Sequence, residues 1–169
     1  MKGLLPLAIV LLAFWCWGCG DYMSPDDYSH AWRLSVKQYR DIDKDPSDPA
    51  AIQSGNGDGS AEAQSQAAGY ISQQIRTVAD SIKDLKPPPE FSLLQEETYL
   101  FYRGVSDRYS GLSEAMGTND AYKMGRAVDG LNTYADDEEK KINSIIKGLG
   151  KNAYMFQPQW QGVMKDSKG

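Results

Sequence analysis

Ala68-Gly69-Tyr70-Ile71-Ser72-Gln73-Gln74-Ile75-Arg76-Thr77-Val78-Ala79-Asp80-Ser81-Ile82-Lys83-Asp84-Leu85 is the stretch that decides the fold. Its apolar residues Ala68, Ile71, Ile75, Val78, Ile82 and Leu85 recur in steps of three and four, which places them on one face of a helix. The pattern predicts an amphipathic helix from Ala61 to Leu85, with Ser60 able to cap it. Lys86 is followed by Pro87-Pro88-Pro89, which end that helix and open the way to another.

Beyond the prolines the same spacing resumes at Phe91, Leu94, Thr98, Phe101, Val105, Leu112 and Ala115, with Arg108 as a charged exception. Gly117 suits a left-handed helix stop, and Thr118 or Asn119 suits a new cap. A further helix is predicted on Met124, Val128, Leu131, Ala135, Glu138, Ile142, Ile145 and Leu149, closed by Gly148 and Gly150. Upstream, Tyr28, Trp32, Ser35, Tyr39 and Ile42 form the stripe of a first helix, capped by Ser24 or Asp26 and ending near Lys44 ahead of Pro46 and Pro49. These elements predict an all-α, antiparallel four-helix bundle over residues 26–150, with a C-terminal tail at 151–169.

The first helix is short by some 10 to 15 Å against its neighbours. The aromatic tail is the only segment rich enough in apolar residues to cover what that leaves open. Tyr154, Phe156 and Trp160 are therefore expected to dock on the bundle, or else to serve as partner contacts from a mobile end. Between the first two helices, residues 45–60 make a loop longer than bundles usually need.

Two details refine the third and fourth helices. Gly104 and Gly111 repeat one heptad apart, as do Tyr102 and Tyr109, so the two neighbours of the third helix should lie at unequal distances. Arg108 and Glu138 interrupt apolar seams. Counting back from a turn near Thr118 sets Arg108 level with Val128 and Glu138 level with Thr98, so the two should not pair with each other. Asp136-Asp137-Glu138-Glu139-Lys140-Lys141 reads as a solvated face with Asp136–Lys140 and Asp137–Lys141 pairs.

The beginning of the chain has a different character. Met1-Lys2-Gly3 leads into the apolar run Leu4 to Trp15, and Cys16-Trp17-Gly18-Cys19-Gly20 follows. This layout is that of an export signal. Gly18-Cys19 resembles the lipobox of bacterial lipoproteins, although Cys16 stands where a leucine is usual. The resemblance implies a signal peptide at 1–18, a lipidated Cys19 as the first mature residue, and a tether at 19–25. It also implies a membrane-anchored protein, on the outer face of the cytoplasmic membrane or in the periplasm or outer membrane. A secretory signal cut near Gly18 or Gly20 is an alternative. So is an uncleaved span, but sixteen residues reach only about 24 Å against a hydrocarbon core of roughly 30 Å.

Composition narrows the chemistry. The chain carries 18 basic and 23 acidic residues and a net charge of −5. That balance disfavours nucleic acid as a partner and offers no run of basic residues for a membrane surface. Both cysteines lie in the leader region, so the body has no internal disulfide, thiol nucleophile or thiolate metal site. His30, the only histidine, falls opposite the first helix's apolar stripe, where it cannot complete a catalytic triad or a haem site. Asp41, Asp43 and Asp45 share the opening spacing of a calcium loop, and Asn56, Asp58, Ser60 and Glu62 add oxygen atoms further on. However, Pro46 replaces the turn glycine and Ile52 the bidentate glutamate, so Asp41, Asp43 and Asp45 are weak metal candidates.

No cofactor and no enzyme activity are expected. The expectation is a lipid-anchored helical bundle that acts as an interaction or structural protein beside another envelope protein. The alternative is a binding module for a small ligand or ion.

Overall fold

Helices begin in this chain where a side chain can take up otherwise free amide groups. Ser24 Oγ accepts from the Asp27 amide at 3.1 Å, Ser60 Oγ from the Ala63 amide at 3.1 Å, and Asp120 Oδ1 from the amides of Tyr122 and Lys123 at 3.0 and 3.1 Å. The helices that follow are α1, Pro25–Ile42; α2, Ala61–Lys83; and α4, Ala121–Gly148. The remaining helix, α3, Ser92–Gly117, has no side-chain cap and grows instead out of a 3₁₀ turn at Pro89–Phe91. A second 3₁₀ turn, Gly150–Met155, follows α4. The computed structural model describes residues 22–42 and 60–156, and among them there is no strand. The fold is the all-α helical bundle that the spacing predicts.

The turn between α3 and α4 departs from expectation. Gly117 stays within the helix, and the left-handed residue is Asn119 at φ 52°. Asparagine tolerates that conformation better than other non-glycine residues. The Thr118 hydroxyl donates to the Ala115 carbonyl at 2.7 Å, so the helix end is satisfied without a glycine stop and the capping role passes to Asp120. After α4, Gly150 takes φ 58°, where a glycine is the natural residue.

The seam between α2 and α3 is built on serine. Ser72 Oγ donates to the Ser106 carbonyl and Ser106 Oγ to the Ser72 carbonyl, both at 2.8 Å. One heptad away, Ser65 and Ser113 repeat the exchange at 2.8 and 2.7 Å. A hydroxyl reaches the opposite backbone only when the helices approach closely, so these pairs fix both the distance and the register. Beyond the end of α2, Gln95 Nε2 donates to the carbonyls of Ile82 and Leu85 at 2.8 and 2.7 Å, supplying partners that the helix end lacks.

The helix α1 lies on this pair, antiparallel to α2 and parallel to α3. Met23 N donates to the Lys86 carbonyl at 2.8 Å, Trp32 Nε1 donates to Thr98 Oγ1 at 3.0 Å, and the Tyr39 ring sits 5.5 Å from Phe101 and 5.1 Å from Tyr102. The tail completes this end of the bundle. Phe156 is fully buried, edge-on to Trp32 at 5.2 Å and to Phe91 at 5.1 Å. It is a core residue, not a partner contact, because turns through Gly150–Met155 fold it back over the start of α1.

Tyr154, on the same turns, is 71% exposed and does not dock. Trp160 lies outside the described residues. Nor does the described part of the tail cover the region beyond α1: eight residues past α4 bring it to the near end of the bundle, not the far one. At the far end Ala68, Leu112 and Met116 pack together with Met124 and Ala127, a small cluster joining α2, α3 and α4.

The predicted stripes of α1, α2 and α3 are the buried faces, and Val36, Ala67, Tyr102 and Met116 join them. In α4 the innermost residues are Ala135, Ile142 and Ile146, while Val128 is 39% exposed. Shortening the fully buried Ile75 or Ile142 to alanine should destabilise the protein by about 2–5 kcal/mol in urea unfolding. Val128→Ala, by contrast, should stay within about 0.5 kcal/mol.

Tyr28 and Tyr102 bring their hydroxyls into the core without a well-formed hydrogen bond. Burial raises the pKa of both above the ordinary 10.0; for Tyr28 the Tyr102 hydroxyl adds to the effect, and for Tyr102 the nearby Ser35 hydroxyl partly offsets it. The fold therefore favours the neutral phenol, while the unfolded chain ionises near pH 10.0. Stability should be insensitive to these groups below that pH and should fall as pH rises above it. Tyr102→Phe should flatten the alkaline fall without weakening the fold at neutral pH, measured by urea midpoints between pH 7 and 11.

Candidate functional site

Glycine at position 104 makes room for a polar surface feature between α3 and α4. A Cβ there would collide with the Tyr134 hydroxyl, so the absence of a side chain on α3 lets the α4 tyrosine lie across it. Tyr134 Oη then donates to the Leu100 carbonyl at 2.9 Å. Arg108, one turn along α3, stacks its guanidinium 3.5 Å from the centre of the Tyr134 ring and donates from Nη1 to the Gly104 carbonyl at 3.0 Å. An arginine over a tyrosine face is held by the ring quadrupole and by planar stacking, which explains how a charge sits in a seam.

Two turns beyond Tyr134 is a second polar group. Lys141 Nζ meets Glu97 Oε2 at 2.5 Å and stands 3.9 Å from Glu138 Oε2. Glu97 is 8% exposed, so its charge is tolerable only with such a partner. The hydrogen bond to Glu97 raises the Lys141 pKa above 10.5, keeping the ammonium charged through neutrality. Glu138 Oε2 is buried without a hydrogen bond. Burial, then the Glu138 charge, raises the Tyr134 pKa, and the Arg108 cation opposes them. Arg108, Arg126, Asp129, Thr133, Tyr134 and Glu138 line the resulting shallow groove, a mixed-charge surface suited to binding a polar or zwitterionic group.

Arg108 and Glu138 thus share one groove without forming an ion pair, as expected. The register differs by half a turn from the expected one because the true turn residue is Asn119. Gly104 and Tyr134 lie fifteen residues on either side of it, and Glu97 and Lys141 twenty-two. The expected Asp136–Lys140 and Asp137–Lys141 pairs give way to Lys140–Asp137 at 3.0 Å and Lys141–Glu97, since Glu97 offers Lys141 a less hydrated partner. Gly111 has open space around it, so of the two glycines only Gly104 marks a close approach.

The other sequence candidates are scattered. Asp41 is exposed near the end of α1, beside a groove lined by Gln38, Gln74, Thr77 and Ser81. Asp43 and Asp45 lie outside the described residues, as do Cys19 and the predicted loop up to residue 59. Ser60 and Glu62 belong to the cap and first turn of α2, and among the described residues no three His, Cys, Asp or Glu side chains cluster as metal ligands would. His30 is exposed, as its position opposite the stripe requires. Glu97 was missed from the sequence because it sits beside Thr98, just off the apolar stripe; the mirror relation to Lys141 about Asn119 is its only signal. No known protein family, characterised protein or solved structure matches the chain.

Gly111→Ala should stabilise the protein by about 0.5–1 kcal/mol through helix propensity. Gly104→Ala should gain less or lose stability, because it must expel Tyr134. In a Tyr134→Ala background the two substitutions should become equivalent, which urea unfolding of the four variants checks.

Proposed function

We propose that this is a lipid-anchored cell-envelope protein whose helical bundle acts as a non-catalytic interaction or structural element. The observation that carries the reading is Gly18-Cys19, placed at the end of a basic start and an apolar run as in bacterial lipoproteins. A core closed by Tyr28, Trp32, Phe91 and Phe156 agrees with a rigid scaffold presenting its outer faces. Those faces carry large apolar side chains that a protein partner can use. Leu93 and Leu100, one heptad apart on α3, are 54% and 43% exposed, and Tyr154 stands out beyond α4. The partner proposed is another envelope protein, reached while the N-terminal lipid holds the bundle at the membrane.

A second reading, a module that binds a small polar ligand, is favoured by the orphan Glu138 oxygen in the α3–α4 groove. A solute that raises the melting temperature of the wild-type protein but not of Glu138→Gln would support it.

Intact mass of the protein extracted from membranes tests the leading reading. A mature chain beginning at a lipid-modified Cys19 is expected, and Cys19→Ala should leave the protein unprocessed or released. An unmodified Cys19, or an N-terminus elsewhere, overturns it.

A further inference from the structure

The residue count hides a feature that α1 displays. Opposite its buried stripe, His30, Arg33, Leu34, Lys37 and Arg40 follow one another in steps of three and one and line one shallow groove. Arg33 uses Nε to bond the Ser29 carbonyl at 3.3 Å, but among the described residues neither it nor Lys37 nor Arg40 has a carboxylate within ion-pair reach. This holds in a chain with more acids than bases, where cations would readily find partners. The acids of α1 stand at its ends. Asp26 and Asp27 are in the first turn, with Asp27 engaged by Ser24 at 2.7 Å, and Asp41 is in the last. Leu34 is 48% exposed in the middle of the cations.

An apolar side chain framed by long cationic stems is the arrangement of helices that lie in a headgroup layer. We propose that this face of α1 docks on an anionic lipid surface, so that the bundle lies on its side with α1 against the membrane. The reading rests on the lipid anchor and adds an orientation to it. From Cys19 to Ser24 the chain extends at most about 20 Å, so an anchored protein holds the start of α1 at the headgroups. The stripe from His30 to Arg40 then runs about 15 Å along the surface. Each cation gains from the negative potential there, and Leu34 enters the interface.

The mature body tests this apart from the anchor. Among the described residues the core runs from Met23 to Phe156, so a chain of residues 20–169 retains all of it, and that chain contains no cysteine. Leu34→Cys in that chain carries an environment-sensitive fluorophore. With vesicles containing phosphatidylglycerol the protein should sediment and the label should shift to the blue, and pure phosphatidylcholine should give neither. Arg33→Glu/Lys37→Glu/Arg40→Glu should weaken binding by about a hundredfold or more, with helical circular dichroism unchanged. Lys123→Glu, at the far end of the bundle, should bind as before.

Equal binding to both vesicles, an unaffected triple variant, or a label that stays in water while the protein sediments overturns the proposal. Competition by millimolar inorganic phosphate would do the same, since it would mark a site for an isolated anion. Because this chain lacks Cys19, a failure here is separate from a failure of lipidation, which the mass of the membrane-extracted protein reports.

Discussion

The paired exchange of hydroxyls between Ser72 and Ser106, repeated by Ser65 and Ser113, is the constraint from which the rest of the bundle follows. Four hydrogen bonds to carbonyls of a facing helix hold two backbones closer than leucine or isoleucine would allow. With α2 and α3 so close, little space remains between them for large side chains. The large apolar side chains of the pair must then turn to its flanks, where Tyr28, Trp32 and Tyr39 from α1, and Phe156 from beyond α4, pack on one side. A wider pair would need a different set of aromatics.

On the other side of α3 the same logic operates with the sizes reversed. Tyr134 crosses α3 at Gly104, and its ring becomes the platform on which Arg108 rests. Close contact at one glycine thus organises a charged surface, and Lys141 secures Glu97 two turns further along. Steric and electrostatic arrangements are coupled here through a single missing methyl group.

Helical periodicity made the bundle legible from the amino acids alone. Apolar steps of three and four located all four helices and most of their buried faces, because those faces are repetitive and each is read within one segment. Relations between segments were harder to read. Asn119, in place of Gly117 or Thr118, as the turning residue shifts the α3–α4 register by half a turn, enough to set Tyr134 opposite Gly104 instead of beside it. The Ser65/Ser72 and Ser106/Ser113 repeats carry no hydrophobic signal, since their role exists only between helices. Phe156 was legible as an aromatic that should dock but not by its destination, which depends on the turn at Gly150. The basic stripe of α1 does not show in the net charge, which averages over faces.

The bond from Met23 N to the Lys86 carbonyl has a mechanical consequence. It lies where the chain enters the fold and ties that point to the proline turn between α2 and α3. A pull on the N-terminal end of the chain reaches this bond before it reaches α1. Only after it parts would the load pass to Tyr28 and Trp32, which Phe156 clasps from the opposite end of the sequence. Peeling α1 away would then require extracting the aromatic rings while the serine seam of α2 and α3 stays out of the line of force. The protein is therefore arranged to yield from its first helix inward, with its central pair the last to feel a tug.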